Sequence, residues 1–245
     1  MTSARPEAGP AVVPYAAGRL MDVHRPAAAG AGPAPVVLLW HGSGPNERDV
    51  LRPLAQEGAG LGLLVLVPDW SAEQPDGGGA ELLASLARAR GIAAEHGGDP
   101  DRFVLAGWSM GGREAIAVAT HPDTPAELRP TAAVGIASPY STRAVTTGGA
   151  PLDHLAQAPS PVPLRLVHGT ADDVVAVEHT RQLSAVLTRQ MSAVRTLELP
   201  TDHAGVVMTV YRPEARRCLP ATDPATLAAG RRTAAVLAEA AGLPS

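Results

Sequence analysis

Gly107-Trp108-Ser109-Met110-Gly111-Gly112 sets one serine between glycines, after the apolar run Phe103 to Ala106 and before the helix-forming stretch 113–120. A strand that becomes a helix within about one residue strains the backbone at the serine and lifts its hydroxyl above the sheet. Glycines on either side let neighbouring backbones approach, because they carry no Cβ. Gly107-x-Ser109-x-Gly111 would be weak alone, since a serine can also simply cap a helix. The strand-turn-helix context is what predicts a nucleophile at Ser109.

Working outward, strands and helices alternate. Residues 15–24 read as an early strand or hairpin arm, followed by an Ala/Gly-rich turn at 27–34. The continuous apolar run 35–40 fits a strand buried on both faces of a parallel sheet. A helix over 47–57 leads to a second such run, 63–67, stopped by Pro68. The Gly-rich turn at 77–79 opens a helix over 80–95, and 102–106 is the strand that delivers Ser109. Further strands are expected at 132–137, 164–167 and 194–199, with helices at 177–189 and 224–241. The string Gly58-Ala59-Gly60-Leu61-Gly62 precedes a strand and lacks the third glycine of a dinucleotide site, so it reads as a helix-to-strand loop. The alternation implies an α/β fold, with a mostly parallel central sheet and helices on both faces.

Composition sets limits. The 245 residues, 45% hydrophobic, suffice for one sizeable α/β domain spanning 1–245, with no composition break to suggest a second. A net charge of -4 gives no electrostatic reason to expect nucleic acid or an anionic membrane surface as partner. The single cysteine, Cys218, excludes an internal disulfide and sits in no elbow, which leaves it a packing role. Residues 1–14 hold no apolar run of signal-peptide length, and no run spans a bilayer, so a cytoplasmic protein is expected. All 20 basic residues are arginine. A P-loop lysine, a Schiff-base lysine and a Ser-Lys dyad are therefore impossible.

A serine nucleophile needs an imidazole to take its proton and a carboxylate to hold that imidazole in the right tautomer. His203, in Thr201-Asp202-His203-Ala204-Gly205, follows the last strand of the alternating series in a loop of small residues from which it can reach back over the sheet. His41 and His168 each end a strand as His-Gly and read as structural hydrogen-bonding groups; the other five histidines have no supporting context. The acid lies in His168-Gly169-Thr170-Ala171-Asp172-Asp173, where spacing alone cannot separate the two carboxylates. Asp202 is a weaker rival, because neighbouring side chains in extended chain face opposite ways. Glu178 suits the first turn of a helix. The histidines show no metal-ligand spacing, and no metal or organic cofactor is expected.

The order Ser109, then acid, then His203 is that of the α/β-hydrolases, and over nearly its whole length the chain resembles their small esterase and dienelactone-hydrolase-like members. His41-Gly42-Ser43-Gly44 is similar to the family's oxyanion loop, and Met21-Asp22-Val23-His24-Arg25-Pro26 to the strand before it. The resemblance implies the α/β-hydrolase fold, Asp172 rather than Asp173 as the acid, and backbone amides of Ser43 and Met110 as the oxyanion hole. The family's usual proline after the acid segment is replaced by Ala176, and no long insertion follows 132–137. Residues 138–163 thus form a short, loop-rich cap region in place of a large cap domain.

All three tryptophans fall at expected strand ends: Trp40, Trp70 and Trp108. Flat rings there would form an apolar wall over a small substrate, although Trp108 serves equally as core beneath the elbow. These readings converge on a serine hydrolase acting on small carboxylic esters. The same residues could serve a thioester, lactone or peptide bond, and a non-catalytic binding protein is the alternative outside enzymes. Nothing in the sequence bears on the oligomeric state.

Overall fold

The computed structural model describes residues 9–26 and 32–244. The turn expected at 27–34 and the reading of residues 1–14 fall partly outside them. Eight strands form one sheet: β1 (Ala11–Ala16), β2 (Arg19–His24), β3 (Ala34–Trp40), β4 (Leu64–Pro68), β5 (Gly98–Trp108), β6 (Ala132–Ile136), β7 (Leu164–Gly169) and β8 (Val194–Leu199). Their spatial order is β1-β2-β4-β3-β5-β6-β7-β8, with β1 and β2 antiparallel and all strands from β4 to β8 parallel.

Period-2 alternation explains why helices cover both faces. Val37 and Leu39 of β3, Val65 and Val67 of β4, and Val104 and Ala106 of β5 pack toward α1 (Arg52–Gly60) and α6 (Pro224–Ala240). Their neighbours Val36, Leu38, Leu64, Leu66, Phe103 and Leu105 point the other way, toward α2 (Gly79–Ile92) and α3 (Met110–Thr120). Beyond β6 that second layer continues as Leu164 and Leu166 against Leu183 and Leu187 of α5 (Glu178–Arg189). Each fully buried Leu or Val in these layers contributes about 1.5–3 kcal/mol.

Several elements differ from expectation for local reasons. The segment 15–24 is not one arm: it contains the turn of a β1–β2 hairpin, where Gly18 takes φ +69°. The helix expected at 47–57 begins only at Arg52, because Pro53 belongs to a first helical turn, where its missing N–H costs nothing. It runs on to Gly60, so the first part of the 58–62 string is helical and only its end is loop. A short hairpin, β9 (Thr209–Arg212) and β10 (Arg217–Pro220), was not expected at all. Between β6 and β7 the only helix among the described residues is α4 (Pro151–Leu155), and no large cap domain stands there. No helix of the described residues is long and apolar enough to cross a membrane.

The parallel part of the sheet starts at β3, steps to β4 on one side, then crosses to β5 on the other. This reversal opens a crevice at the carboxyl ends of β3 and β5, the place where such sheets take ligands.

Candidate active site

Ser109 follows β5 and precedes α3, at φ 55° and ψ -123°. A positive φ is uncommon for a residue with a Cβ, and it is the strain that the strand-turn-helix sequence implies. The turn closes so tightly that a Cβ on Gly107 would strike the backbone of Gly111. One on Gly111 would strike the carbonyl oxygens of His41 and, at 2.6 Å, Trp40. Glycine is required at both positions, and the loop after β3 consequently lies directly against the elbow. A Cβ at Gly42 would sit 3.5 Å from that of Ser109.

His41 fastens this loop. Its ring is completely buried, with Nδ1–H donating to the Gly42 carbonyl at 2.9 Å while Nε2 accepts the amides of Glu47 and Trp70, both at 3.2 Å. The structural role expected of it is therefore what the geometry shows, and Ser43 is carried on a braced segment. Met110 opens α3, and the first amides of a helix have no acceptor within it.

Burial pushes His41 down to about 3 and His24 of β2 down to about 4. In the unfolded chain both would protonate near pH 6.5. Between those values the unfolded state holds more protons, so this stabilisation is complete above pH 6.5 and is lost as pH falls toward 4 and then 3. Each imidazole contributes up to about 1.4 kcal/mol per pH unit over its range. The thermal midpoint should fall steadily from pH 7 to pH 5, and less steeply in His24→Gln. An equal slope in that variant would contradict the account.

Asp172 and His203 meet. Asp172 lies in the loop after β7 and His203 in the loop after β8, and the two loops are tied by the Thr170 amide to the Leu199 carbonyl at 2.8 Å and the Ala171 amide to the Thr201 carbonyl at 3.0 Å. His203 Nδ1–H donates to Asp172 Oδ2 at 2.7 Å. The other oxygen, Oδ1, accepts the amides of Val174 at 2.9 Å and Val175 at 2.8 Å. Burial opposes ionisation of Asp172, but hydrogen bonds from His168, His203 and the Val175 amide outweigh it and hold the carboxyl below the usual carboxylate range.

The rival acids make no hydrogen bond to the His203 ring. Asp173 is exposed on the rim of the cleft, and Asp202 Oδ1 accepts the Gly205 amide at 2.7 Å, capping the turn that follows. Glu178 opens α5, as expected. His168 does more than brace a turn: besides bonding Thr180 and Val175, its Nε2 lies 3.2 Å from Asp172 Oδ2.

Ser109, His203, Ser43 and Trp108 line one cleft of about 560 Å³. Trp108 packs in the core and borders the cleft. Alternation along β5 turns its ring toward the α1/α6 face, where it packs in the core, lies 5.0 Å from the His203 ring and donates Nε1–H to the His203 carbonyl at 2.8 Å.

Trp40 and Trp70 do not form the expected wall. Trp40 shares the parity of Val36 and Leu38, so its ring enters the α2 side of the sheet, wholly buried, and donates to Ser85 Oγ at 2.9 Å. Trp70 is buried as well, stacked on His41 with ring centroids 5.3 Å apart. Position at a strand end is the wrong criterion; the face of the pleat decides.

The wall that sequence reasoning missed is the β9–β10 hairpin, which brings Tyr211, Arg217 and Cys218 to the cleft. Cys218 thus packs on the core with one side and borders the cleft with the other. The sequence signal for the hairpin is the turn-like Pro213-Glu214-Ala215-Arg216 between two short runs that hold Val210-Tyr211 and Cys218-Leu219. The 138–163 segment, none of whose residues lines the cleft, is pinned down: Glu114 of α3, fully buried, accepts the amides of Val145 at 3.2 Å and Thr146 at 3.0 Å and two hydrogen bonds from Arg113. Among the described residues no three His, Cys, Asp or Glu side chains gather as a metal ion would need.

No protein-family model matches the sequence, and no curated protein is similar enough to match. Solved structures do. Thermogutta terrifontis esterase 2 phosphoramylated by tabun is 18% identical at a TM-score of 0.74, with 98% of this chain and 96% of that one covered. The butyrate-bound form of that thermophilic esterase is 19% identical at 0.74, covering 94% of this chain and 92% of its own. The form phosphonylated by sarin is 17% identical at 0.74, covering 98% and 96%. At such identities the likeness is one of fold, and with the strand order above it gives this chain the α/β-hydrolase fold.

Proposed function

We propose that the protein is a serine hydrolase that cleaves carboxylic esters of small acyl groups, with Ser109 as nucleophile, His203 as base and Asp172 as the acid that orients it. One observation carries the reading: His203, paired with Asp172 at 2.7 Å, and the strained Ser109 border the same cleft at the switch point of the sheet. With Nδ1–H committed to Asp172, His203 keeps Nε2 free of a proton and able to take one from the serine hydroxyl. Attack on the ester carbonyl forms a tetrahedral oxyanion, stabilised by the amides of Ser43 and Met110. Collapse expels the alcohol, which takes the proton from His203, and water then releases the acyl group by the same steps in reverse roles. This chemistry requires no metal or organic cofactor, and a single domain suffices for it.

Small acyl groups are favoured because the cleft is open and no residue of the 138–163 segment, which is tied to Glu114, lines it to bury a long chain. The neighbouring esterase has been solved with butyrate bound, which agrees with this preference. Each methylene adds about 0.8 kcal/mol only until the pocket is full. Across p-nitrophenyl esters from acetate to palmitate, kcat/KM should peak at roughly two to six acyl carbons. A value still rising beyond about ten would overturn the small-acyl assignment. A thioester or peptide turned over faster than any ester would overturn the bond assignment.

A further inference from the structure

Three hydrogen bonds and one close imidazole contact converge on the Asp172 carboxylate, and they are unequally distributed. Oδ1 is held by two amides of its own loop. Oδ2, the oxygen that receives His203, has one other polar side chain against it, His168. The His168 ring is fully buried at the end of β7. Its Nε2 faces two acceptors, the Val175 carbonyl at 2.8 Å and Asp172 Oδ2 at 3.2 Å, and so must carry the proton. Nδ1 then accepts from the hydroxyl of Thr180 on α5 at 2.7 Å. The ring is thereby fixed from behind by a helix while its Nε2–H, donated to the Val175 carbonyl, lies against the acid and closes the acid loop onto the strand.

We propose that His168 is a positioning residue: it fixes Oδ2 of Asp172 at the point where His203 must find it. Without that ring the only fixed anchor of the carboxylate is Oδ1 and its Oδ2 can swing about it, so the bond that orients His203 loses its fixed end. The inference rests on the Asp172–His203 assignment proposed above and adds a second histidine that touches neither substrate nor serine.

Two substitutions separate this role from simple core packing. Glutamine can place an N–H where Nε2 stands, whereas asparagine reaches only the position of Nδ1. His168→Gln should keep kcat on p-nitrophenyl acetate within about threefold of wild type, and His168→Asn should lose about 10- to 100-fold in kcat, the range for a hydrogen bond to a charged group, with KM little changed. In an Asp172→Asn background the loss from His168→Asn should vanish, because there is no carboxylate left to position. Should His168→Asn fail to fold, Thr180→Val removes the rear anchor, and its smaller kcat loss should again vanish in Asp172→Asn. Equal activity of the Asn and Gln variants, or a loss that persists without the carboxylate, would overturn the proposal while leaving the triad intact. Wild-type turnover by Asp172→Asn alone would overturn the triad assignment itself, and this inference with it.

Discussion

Replacing Ser109 with alanine should lower kcat on a small ester by on the order of 10⁴ to 10⁶ while leaving the fold as it is. Ser109 is only partly buried, so losing its hydroxyl opens no core cavity. Alanine also keeps the Cβ that the φ of 55° already accommodates, so the elbow carries no new strain. The loss should appear wholly in turnover, with the thermal midpoint little moved. A variant retaining a tenth of wild-type kcat would remove the serine from the mechanism, and a large fall in midpoint would show that its hydroxyl holds the elbow together.

The adjacent aspartates should behave very differently. Asp172→Asn keeps the shape of the side chain, but its amide nitrogen can no longer accept the hydrogen bond of Nδ1–H, and the imidazole is free to present the wrong tautomer. A fall in kcat of about 10⁴ is expected. Asp173→Asn alters an exposed carboxylate on the cleft rim and should change kcat by less than about tenfold. Equal losses, or loss only at position 173, would reverse the assignment.

Much of this architecture is legible in the amino-acid sequence. The Gly107-to-Gly112 stretch, the unbroken apolar runs at 35–40 and 63–67 and the alternation of elements carry the fold, because a doubly covered parallel sheet leaves little else those runs can be. His203 and the Asp172/Asp173 pair are legible as strand-end residues. Which aspartate faces His203 is not, since it depends on two amides, Val174 and Val175, drawing Oδ1 into the loop. The tryptophans show the converse limit. Trp40, Trp70 and Trp108 look alike as strand-end residues, yet pleat parity sends Trp40 to the α2 side and Trp108 to the His203 side. The Tyr211 and Cys218 wall is hidden because β9 and β10 are four residues each, too short for periodicity to register. His168 reads as a brace for its turn, and its contact with the acid exists only once β7 and its loop fold back.

The central claim is that Ser109 is an activated nucleophile served by His203. It is tested most directly by the mass of the protein after reaction with an organophosphonate, followed by mapping of the modified peptide. The account predicts one adduct, on Ser109, in the wild-type chain, none in Ser109→Ala, and a strongly slowed reaction in His203→Ala. Modification at any other residue, or labelling at an undiminished rate without His203, would contradict it.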